Sequence, residues 1–310
     1  MAFIIISLNY MNFPFTKYSK FYYIFSGMLI IGAVVSLAVF GLKFGIEFTG
    51  GSAMEVEFTQ KRPSNEEISK SLAALDLGDI TIQSTGQMGV IVKLKGIDET
   101  QHQQVISNLS ALSPLEEKNF QYIGPSVGQD LKNKTIIAIV VSLLAITVYI
   151  AFAFRKVSRP VASWKYGITS LIALFHDIII PLGVFSLLGK FYHAEITIPI
   201  IAALLTIIGF SVHDTIVIFD RIRENILRRG MDSFAKTVDA SLRQTVGRSV
   251  STVATVLLVM ASLFFFGGET LKYFSLALIV GVASGAYSSI FIASPLLVTW
   301  QRWDEKRHKS

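Results

Sequence analysis

Asp214 is an acidic residue inside a long apolar stretch. Residues 197 to 213, which precede it, are almost wholly apolar, and charged side chains return only from Asp220 onwards. Asp214 is therefore about two helical turns, roughly 10 Å, inside the charged end at 1.5 Å per residue. An ionisable residue at such depth normally faces a bundle interior, a partner or a water path. The spacing predicts a functional carboxyl in a membrane span, and the alternative is an acid hydrated at the helix end.

The next long apolar stretch supplies a cation and several hydroxyls. Arg248 lies just inside it, and Ser251, Thr252 and Thr255 follow on one helical face. An arginine favours the ionised form of a nearby carboxylate, and protonation of that carboxylate releases the attraction. Asp214 and Arg248, with Thr252 as a secondary member, therefore have the components of a proton relay. The alternative is a static buried ion pair that only fixes helix packing.

Two histidine–acid pairs are further candidates. His176 and Asp177 lie near the middle of another apolar stretch, where an ionised group is costly without a partner. His213 directly precedes Asp214. Adjacent residues on a helix point about 100° apart, so we expect each histidine to be packed or water-facing rather than bonded to the acid beside it. Asp177 and His213 are secondary candidates for the relay.

The composition is typical of a membrane protein. Of the 310 residues, 52% are hydrophobic and 16% are charged, and the cations behind the net charge of +6 lie beside apolar stretches. Cations in such places are membrane topology signals, so we predict no nucleic-acid partner. The chain has no cysteine, which excludes disulfides and thiolate metal sites, and it has no spacing such as HExxH. We expect no metal, no cofactor and no enzymatic activity.

Six apolar stretches each approach or exceed the roughly 20 residues that a membrane-spanning helix needs. They cover residues 21–42, 134–154, 165–188, 197–219, 248–266 and 273–298. Lys and Arg crowd the loop after the second stretch and the loop 220–247, whereas the loops after the third and fifth stretches contain few of them. The positive-inside rule then places these basic loops, the N-terminal segment 1–20 and the tail 299–310 in the cytoplasm. Met11 is as plausible a start as Met1.

Residues 43–133 have the composition of a water-exposed domain, which this topology places outside the cytoplasm. Alternating apolar residues predict strands, as at residues 54–58, and Ser64 with Glu67 has the capping-box spacing that starts a helix. The predicted order is βαββαβ, that of the ferredoxin-like split βαβ unit. His102 is expected to be solvated. The predicted fold is an α-helical membrane protein with six transmembrane helices and one extracytoplasmic α+β domain between the first two.

Small residues line one face of the sixth apolar stretch. Gly281 and Gly285 form a GxxxG pattern, which Ser284 and Ser288 extend. Small residues at this spacing let another helix approach closely. The pattern predicts either a seam with another subunit or packing inside the bundle.

Six motifs resemble those of the SecD/SecF family of protein-export membrane proteins, and of its SecF branch in particular. They are FGIEFTGG (44–51), GPSVGQDL (124–131), SVHDTIVIFDRIREN (211–225), QTVGRSVST (244–252), GGETLKYFS (267–275) and GAYSSIFIASP (285–295). The resemblance implies a fold similar to half of a resistance-nodulation-division transporter, with Asp214 as the proton-conducting acid and Arg248 as its partner. The chain departs from the family pattern at His213, where asparagine is more frequent, and at Glu47, where aspartate is usual.

The resemblance also implies a function and partners. Such a subunit works with SecD in the bacterial inner membrane and uses the proton motive force for late-stage preprotein translocation. The implied partners are a SecD-like subunit, the SecYEG channel, a YajC-like accessory, the unfolded preprotein and membrane lipid. Two other interpretations remain open at this point. One is a half-transporter that exports a small solute or lipid by proton antiport, and the other is a passive scaffold of the channel.

Overall fold

The computed structural model describes residues 13–155, 161–229 and 233–307. The segment before residue 13, with the choice between Met1 and Met11, lies outside the described residues, as do the last residues of the tail and short parts of both basic loops.

In chain order the elements are α1 (Ser19–Phe40), α2 (Ile46–Thr49), β1 (Gly51–Phe58), α3 (Asn65–Leu72), β2 (Thr81–Thr85), β3 (Gly89–Leu94), α4 (Glu99–Leu112), β4 (Leu115–Ile123), α5 (Pro125–Ala153), α6 (Ser163–Tyr192), α7 (Ile198–Arg229), α8 (Phe234–Phe266), α9 (Glu269–Ser288) and α10 (Ser294–Arg307). A π-helical turn, Ser289–Ala293, joins α9 to α10.

Six helical segments of the described chain are long and apolar enough to cross a membrane. They are α1, α5, α6, α7, α8 and the continuous segment formed by α9 and α10. Much of α6, α7 and the α9–α10 segment is buried within the chain, whereas most of α1, α5 and α8 is exposed. The predicted helical membrane fold is confirmed, with α6, α7 and α9 at its centre.

The fourth and fifth spans continue well beyond their predicted ends. Helix α7 continues to Arg229, and α8 begins at Phe234. The segment predicted as a basic loop, 220–247, is therefore mostly helical in its described part. The two extensions are held together by a buried contact, because the Asn225 side-chain amide donates to the Ser241 hydroxyl at 2.8 Å. A search for apolar stretches misses these turns because their side chains are largely polar.

Residues 51–123 form the predicted α+β domain, which is shorter than the predicted 43–133 because α5 already begins at Pro125. Its sheet has the strand order β2-β3-β1-β4, and all neighbouring strands are antiparallel. Helices α3 and α4 each begin with a capping box, Ser64 with Glu67 and Asp98 with Gln101, which satisfies backbone amides that a first helical turn leaves free. The core contains Met54, Val56, Val90, Val92, Ile68, Leu72, Val105 and Leu109. Both helices therefore pack on the sheet, and the βαββαβ prediction is confirmed.

His102 is a buried residue of this domain, so the prediction that it is solvated was wrong. Its side chain is only 8% exposed, and its ring stacks on Phe120 with the centroids 4.0 Å apart. Its Nε2 lies 2.9 Å from a Glu117 carboxylate oxygen. Both partners belong to β4, which the residues around His102 in the sequence do not reveal.

The α+β domain is joined by hydrogen bonds to the loop between α6 and α7, residues 193–197, which we call the anchor loop. The Ile196 amide donates to the Lys43 carbonyl at 2.7 Å, and the Ile196 carbonyl accepts from the Gly45 amide at 2.9 Å. These bonds form a short parallel bridge between the loop and the chain that enters the domain. The loop that precedes α7 is therefore joined by backbone hydrogen bonds to the segment that enters the α+β domain.

The GxxxG pattern packs inside the bundle. A β-carbon on Gly281 would collide with Ile207 of α7, and one on Gly285 would lie 3.0 Å from the Ser211 side chain. The small-residue face of α9 is therefore occupied by α7 of the same chain, which favours bundle packing over a subunit seam.

We expect Gly281→Ala to destabilise the protein by about 1–3 kcal/mol, the usual cost of overpacking a filled core. The matched control is Gly209→Ala on α7, because nothing lies within 4 Å of a β-carbon there and alanine is the better helix former. Thermal unfolding midpoints in detergent measure the difference. Equal midpoints for the two variants would contradict the close contact between α7 and α9.

Candidate functional site

Asp214 lies on α7 with its carboxyl group inside the helix bundle. The residue is 8% exposed, and its Oδ1 accepts a hydrogen bond from the Ser249 hydroxyl of α8 at 2.5 Å. Its Oδ2 is buried and has no hydrogen-bond partner among the described residues. A buried oxygen without a partner is costly, and such exceptions call for a specific explanation such as a functional role. The carboxyl is thus enclosed by protein rather than hydrated at a helix end.

Arg248 does not contact Asp214. Its side chain is exposed, as is that of His213, and both act on the carboxyl only through space. Because Arg248 and Ser249 are adjacent, they point about 100° apart on the helix, and the serine is the residue that faces α7. The buried Arg–Asp ion pair considered from the sequence is therefore not formed in this chain.

The hydroxyls near Arg248 also point away from Asp214. Ser251, Thr252 and Thr255 are exposed on α8, and the Thr255 hydroxyl donates to the Thr252 carbonyl of its own helix at 2.7 Å. We call Arg248 and these three residues the polar face of α8. Polar and charged groups within a span are costly against lipid, so this face is suited to contact with another protein.

Asp177 is the centre of a second buried polar cluster, on α6. Its carboxylate accepts hydrogen bonds from four groups, which saturates its oxygens. The donors are His176 Nδ1 (2.9 Å), the Ser211 hydroxyl of α7 (2.6 Å) and the Ser284 (3.2 Å) and Ser288 (2.7 Å) hydroxyls of α9. Asp177 is fully buried. This carboxylate therefore joins the three central helices.

The prediction that a histidine does not bond to the acid beside it was wrong for His176. Its ring packs against Tyr287 of α9, with the centroids 6.0 Å apart, and in that position its Nδ1 reaches Asp177. Its Nε2 is buried and has no partner among the described residues. The packing of His176 on α9 therefore brings its ring to Asp177, although adjacent side chains on α6 start about 100° apart.

The two carboxyl sites share one face of α7. Ser211, which donates to Asp177, precedes Asp214 by three residues, a spacing that places both on the same side of the helix. The Thr215 and Ser289 hydroxyls lie 2.8 Å apart. Ser289 begins the π-helical turn, a feature frequent at functional sites. A movement of α7 therefore affects both sites at once.

Four serines belong to these sites without having been predicted as site residues. They are Ser249 beside Asp214, and Ser211, Ser284 and Ser288 around Asp177. The sequence signal that could have found them is a serine inside an apolar span, because a buried polar group in a membrane needs a hydrogen-bond partner. That signal identifies the residues but not which acid each one binds.

Two family models match the chain. The model described as protein export membrane protein SecD/SecF, C-terminal, matches residues 104–303, and the SecD/SecF GG motif matches residues 35–61. The first covers more than half of the chain and contains both carboxyl sites. The second covers the end of α1 and the entry to the α+β domain.

Individual relatives match over almost the whole chain. The protein translocase subunit SecF of Thermobaculum terrenum is 44% identical, covering 91% of this chain and 92% of its own length. SecF of Desulfurispirillum indicum is 37% identical, covering 95% and 93%, and SecF of Vibrio alginolyticus is 38% identical, covering 91% and 88%.

Solved structures of SecDF have the same fold. The crystal structure of SecDF from Thermus thermophilus, a translocon-associated membrane protein, has a TM-score of 0.83 at 31% identity over 95% of this chain. SecDF in a super-membrane-facing form has a TM-score of 0.69 at 32% identity. This chain covers 39% of the first SecDF chain and 40% of the second. The chain therefore belongs to the SecD/SecF family of protein-export membrane proteins and, within it, to the SecF protein translocase subunits.

Proposed function

We propose that this chain couples the proton motive force to late-stage movement of preproteins across the bacterial inner membrane, as the SecF subunit of the Sec export machinery. Its relatives are named as protein translocase subunits, which supports an export role and does not favour a half-transporter for solutes or lipids. The observation that carries the proton part is the enclosed Asp214 carboxyl with one unpartnered oxygen. A passive scaffold would have no need of such a group.

In this proposal Asp214 gains and loses a proton during each cycle. The ionised carboxylate is stabilised by the Ser249 hydroxyl and by the charge of Arg248 through space, and protonation weakens both interactions. Asp177, His213 and Thr252 are its secondary members. His213 and Thr252 lie on the exposed faces of α7 and α8, and Asp177 holds the buried side of α7 through Ser211. Protonation of Asp214 therefore weakens the interactions between α7 and α8.

A SecD-like subunit is the proposed partner of the polar face of α8. That face presents an arginine and three hydroxyls within a membrane span, which is costly against lipid but not against a polar helix of a second subunit. The SecDF chain of Thermus thermophilus is more than twice as long as the part this chain matches, which is consistent with SecD and SecF working as one unit. The proton path is then completed between two subunits.

A photo-reactive amino acid at Thr255 is expected to cross-link to the SecD-like subunit in membranes, because Thr255 lies on the polar face of α8. The same amino acid at Ile31 is the control, since Ile31 is 65% exposed on α1, away from that face. Immunoblotting of the cross-linked product distinguishes the two. Equal cross-linking from both positions, or from Ile31 only, would contradict the proposed interface.

The anchor loop is the proposed route from the proton site to the external domain. Glu195 of the loop lies 2.6 Å from the Lys93 ammonium of β3, and both side chains are largely buried. The Gln83 side-chain amide of β2 donates to the His193 carbonyl at 3.2 Å. Since α7 begins directly after this loop, movement of α7 at Asp214 shifts the loop against the sheet, so that the domain changes its position on the loop during each cycle.

The proposed location is the bacterial inner membrane, with both termini in the cytoplasm and residues 43–133 outside. Single-cysteine labelling tests this, because the chain has no native cysteine. In intact cells with a permeabilised outer membrane, an impermeant thiol reagent should label Asn65→Cys and not Glu305→Cys. Labelling of Glu305→Cys and not of Asn65→Cys would show that the proposed topology is inverted. The SecYEG channel, a YajC-like accessory, the preprotein and membrane lipid are the remaining proposed partners.

Export into inverted membrane vesicles tests the proposed function as a whole. With this chain and its SecD-like partner present, preprotein import into vesicles should be faster when a proton gradient is imposed. A proton ionophore should remove that gain. Equal rates with and without the gradient would contradict proton coupling and would favour the passive scaffold.

A further inference from the structure

Ser249 differs from four other hydroxyl residues of α8 in the partner of its hydrogen bond. Thr237, Ser241, Thr245 and Ser262 each donate to the backbone carbonyl four residues earlier on the same helix, which is the usual bond of a serine or threonine inside a helix. The Ser249 hydroxyl instead donates across to Asp214 Oδ1 on α7 at 2.5 Å. Ser249 is 2% exposed, so water does not compete for this bond.

This bond makes the two oxygens of Asp214 unequal. Oδ1 is occupied by the only hydrogen that the Ser249 hydroxyl can donate. Oδ2 is buried and has no partner among the described residues. A proton arriving at the carboxylate therefore meets one oxygen that already accepts a hydrogen bond and one that is free to bind it.

We propose that Ser249 is the positioning residue of Asp214 and that it directs the proton to Oδ2. The inference rests on the proposed function, because it assigns an atom to the proton transfer at Asp214. The proton is taken from a hydronium ion, which leaves as water, an O–H bond forms at Oδ2, and Oδ1 becomes the carbonyl oxygen while still accepting from Ser249. The same O–H bond breaks when the proton returns to water.

The groups around Asp214 do not substitute for Ser249. Arg248 of α8 and His213 of α7 are exposed and act through space. On α6, His176 and Asp177 are bonded to each other, and Asp177 reaches α7 through Ser211 and not through Asp214. Helix α9 and the π-helical turn present serine hydroxyls to this region, as in the contact of Ser289 with Thr215. The only described side chain that bonds to Asp214 is therefore a neutral hydroxyl.

The pH dependence of gradient-driven export in inverted vesicles, with the SecD-like partner present, tests the inference. Ser249→Ala removes a hydrogen bond that stabilises the ionised carboxylate, so the pH of half-maximal activity should rise by about one to two pH units. Ser249→Thr retains a hydroxyl and should restore the wild-type profile. Ser262→Ala is the matched control, because that hydroxyl bonds only to its own helix, and its profile should not change.

Ser249→Cys is the second variant, in case the alanine variant fails to assemble. A thiol of similar shape is a weak donor, so its profile should shift in the same direction as that of Ser249→Ala. An unchanged profile for an assembled Ser249→Ala or Ser249→Cys, with export still dependent on the gradient, overturns the inference and leaves the proposed function standing. Wild-type export that is independent of the gradient overturns both.

Discussion

Asp214→Asn is expected to abolish the part of the export rate that depends on a proton gradient, while the gradient-independent rate remains. Asparagine retains the shape of the side chain and can accept the Ser249 hydrogen bond at its amide oxygen, so the bundle should assemble normally. It cannot ionise, and the cycle of charging and discharging at α7 stops. Preprotein import into inverted vesicles, with and without an imposed gradient, measures the loss.

Asp220→Asn is the matched control for this experiment. Asp220 lies on the same helix, but its side chain is 67% exposed and forms a weak ion pair with Arg223 at 3.8 Å, so a full export rate is expected. Co-purification with the SecD-like subunit verifies assembly of both variants. An assembled Asp214→Asn protein with wild-type gradient-dependent export would make Asp214 a structural residue.

Cross-linking the anchor loop to the sheet is expected to arrest gradient-driven export. In a Lys93→Cys, Glu195→Cys protein, a short reagent with two thiol-reactive groups and a reducible bond between them should join the two cysteines. The native side chains at these positions lie 2.6 Å apart. In the proposed route the domain changes its position on the loop during each cycle, and the covalent link should block that change. Export should return when a reductant cleaves the reagent.

The control places the same link inside the external domain. Glu57 and Lys118 pair at 3.1 Å on neighbouring strands, so Glu57→Cys with Lys118→Cys should cross-link with little effect on export. Equal inhibition by both links would indicate general damage to the domain. Full activity with the 93–195 link in place would show that the loop and the sheet move as one rigid unit.

The large features of the fold were predictable because they depend on local patterns. Apolar stretches of membrane length predicted the six spans, and alternating strands with a capping box at Ser64 predicted the external domain. The position of Asp214 inside an apolar stretch also predicted that its carboxyl is buried within the bundle. Each of these signals lies within a short segment, so no knowledge of the packing was needed.

The partners of the central acid were not predictable in the same way. Arg248 and Ser249 are adjacent, and the choice of which one faces α7 depends on a rotation of α8 by about 100°. The amphipathic pattern of α8 does not determine that rotation because the helix has polar residues on more than one side. The sequence favoured the charged residue, and the fold places the neutral one against Asp214.

The serine donors around Asp177 were missed for a related reason, although Asp177 itself was a candidate. Its serine donors are separated from Asp177 by 34 to 111 residues, and two of them had been interpreted as part of a small-residue packing face. A serine on α9 serves both purposes, since its small size admits α7 and its hydroxyl donates to the buried carboxylate. The hydrogen bonds to Asp177 can be recognised only from the packing of α6, α7 and α9.

The most direct measurement of the central claim is infrared difference spectroscopy of the reconstituted complex during a pH change across the membrane. A carboxyl that takes up a proton in an apolar site produces a carbonyl band that an ionised carboxylate lacks. We predict such a band in the wild-type protein, its persistence in Asp220→Asn, and its loss in Asp214→Asn. A band of equal intensity in assembled wild-type and Asp214→Asn proteins would contradict the claim that Asp214 binds the proton.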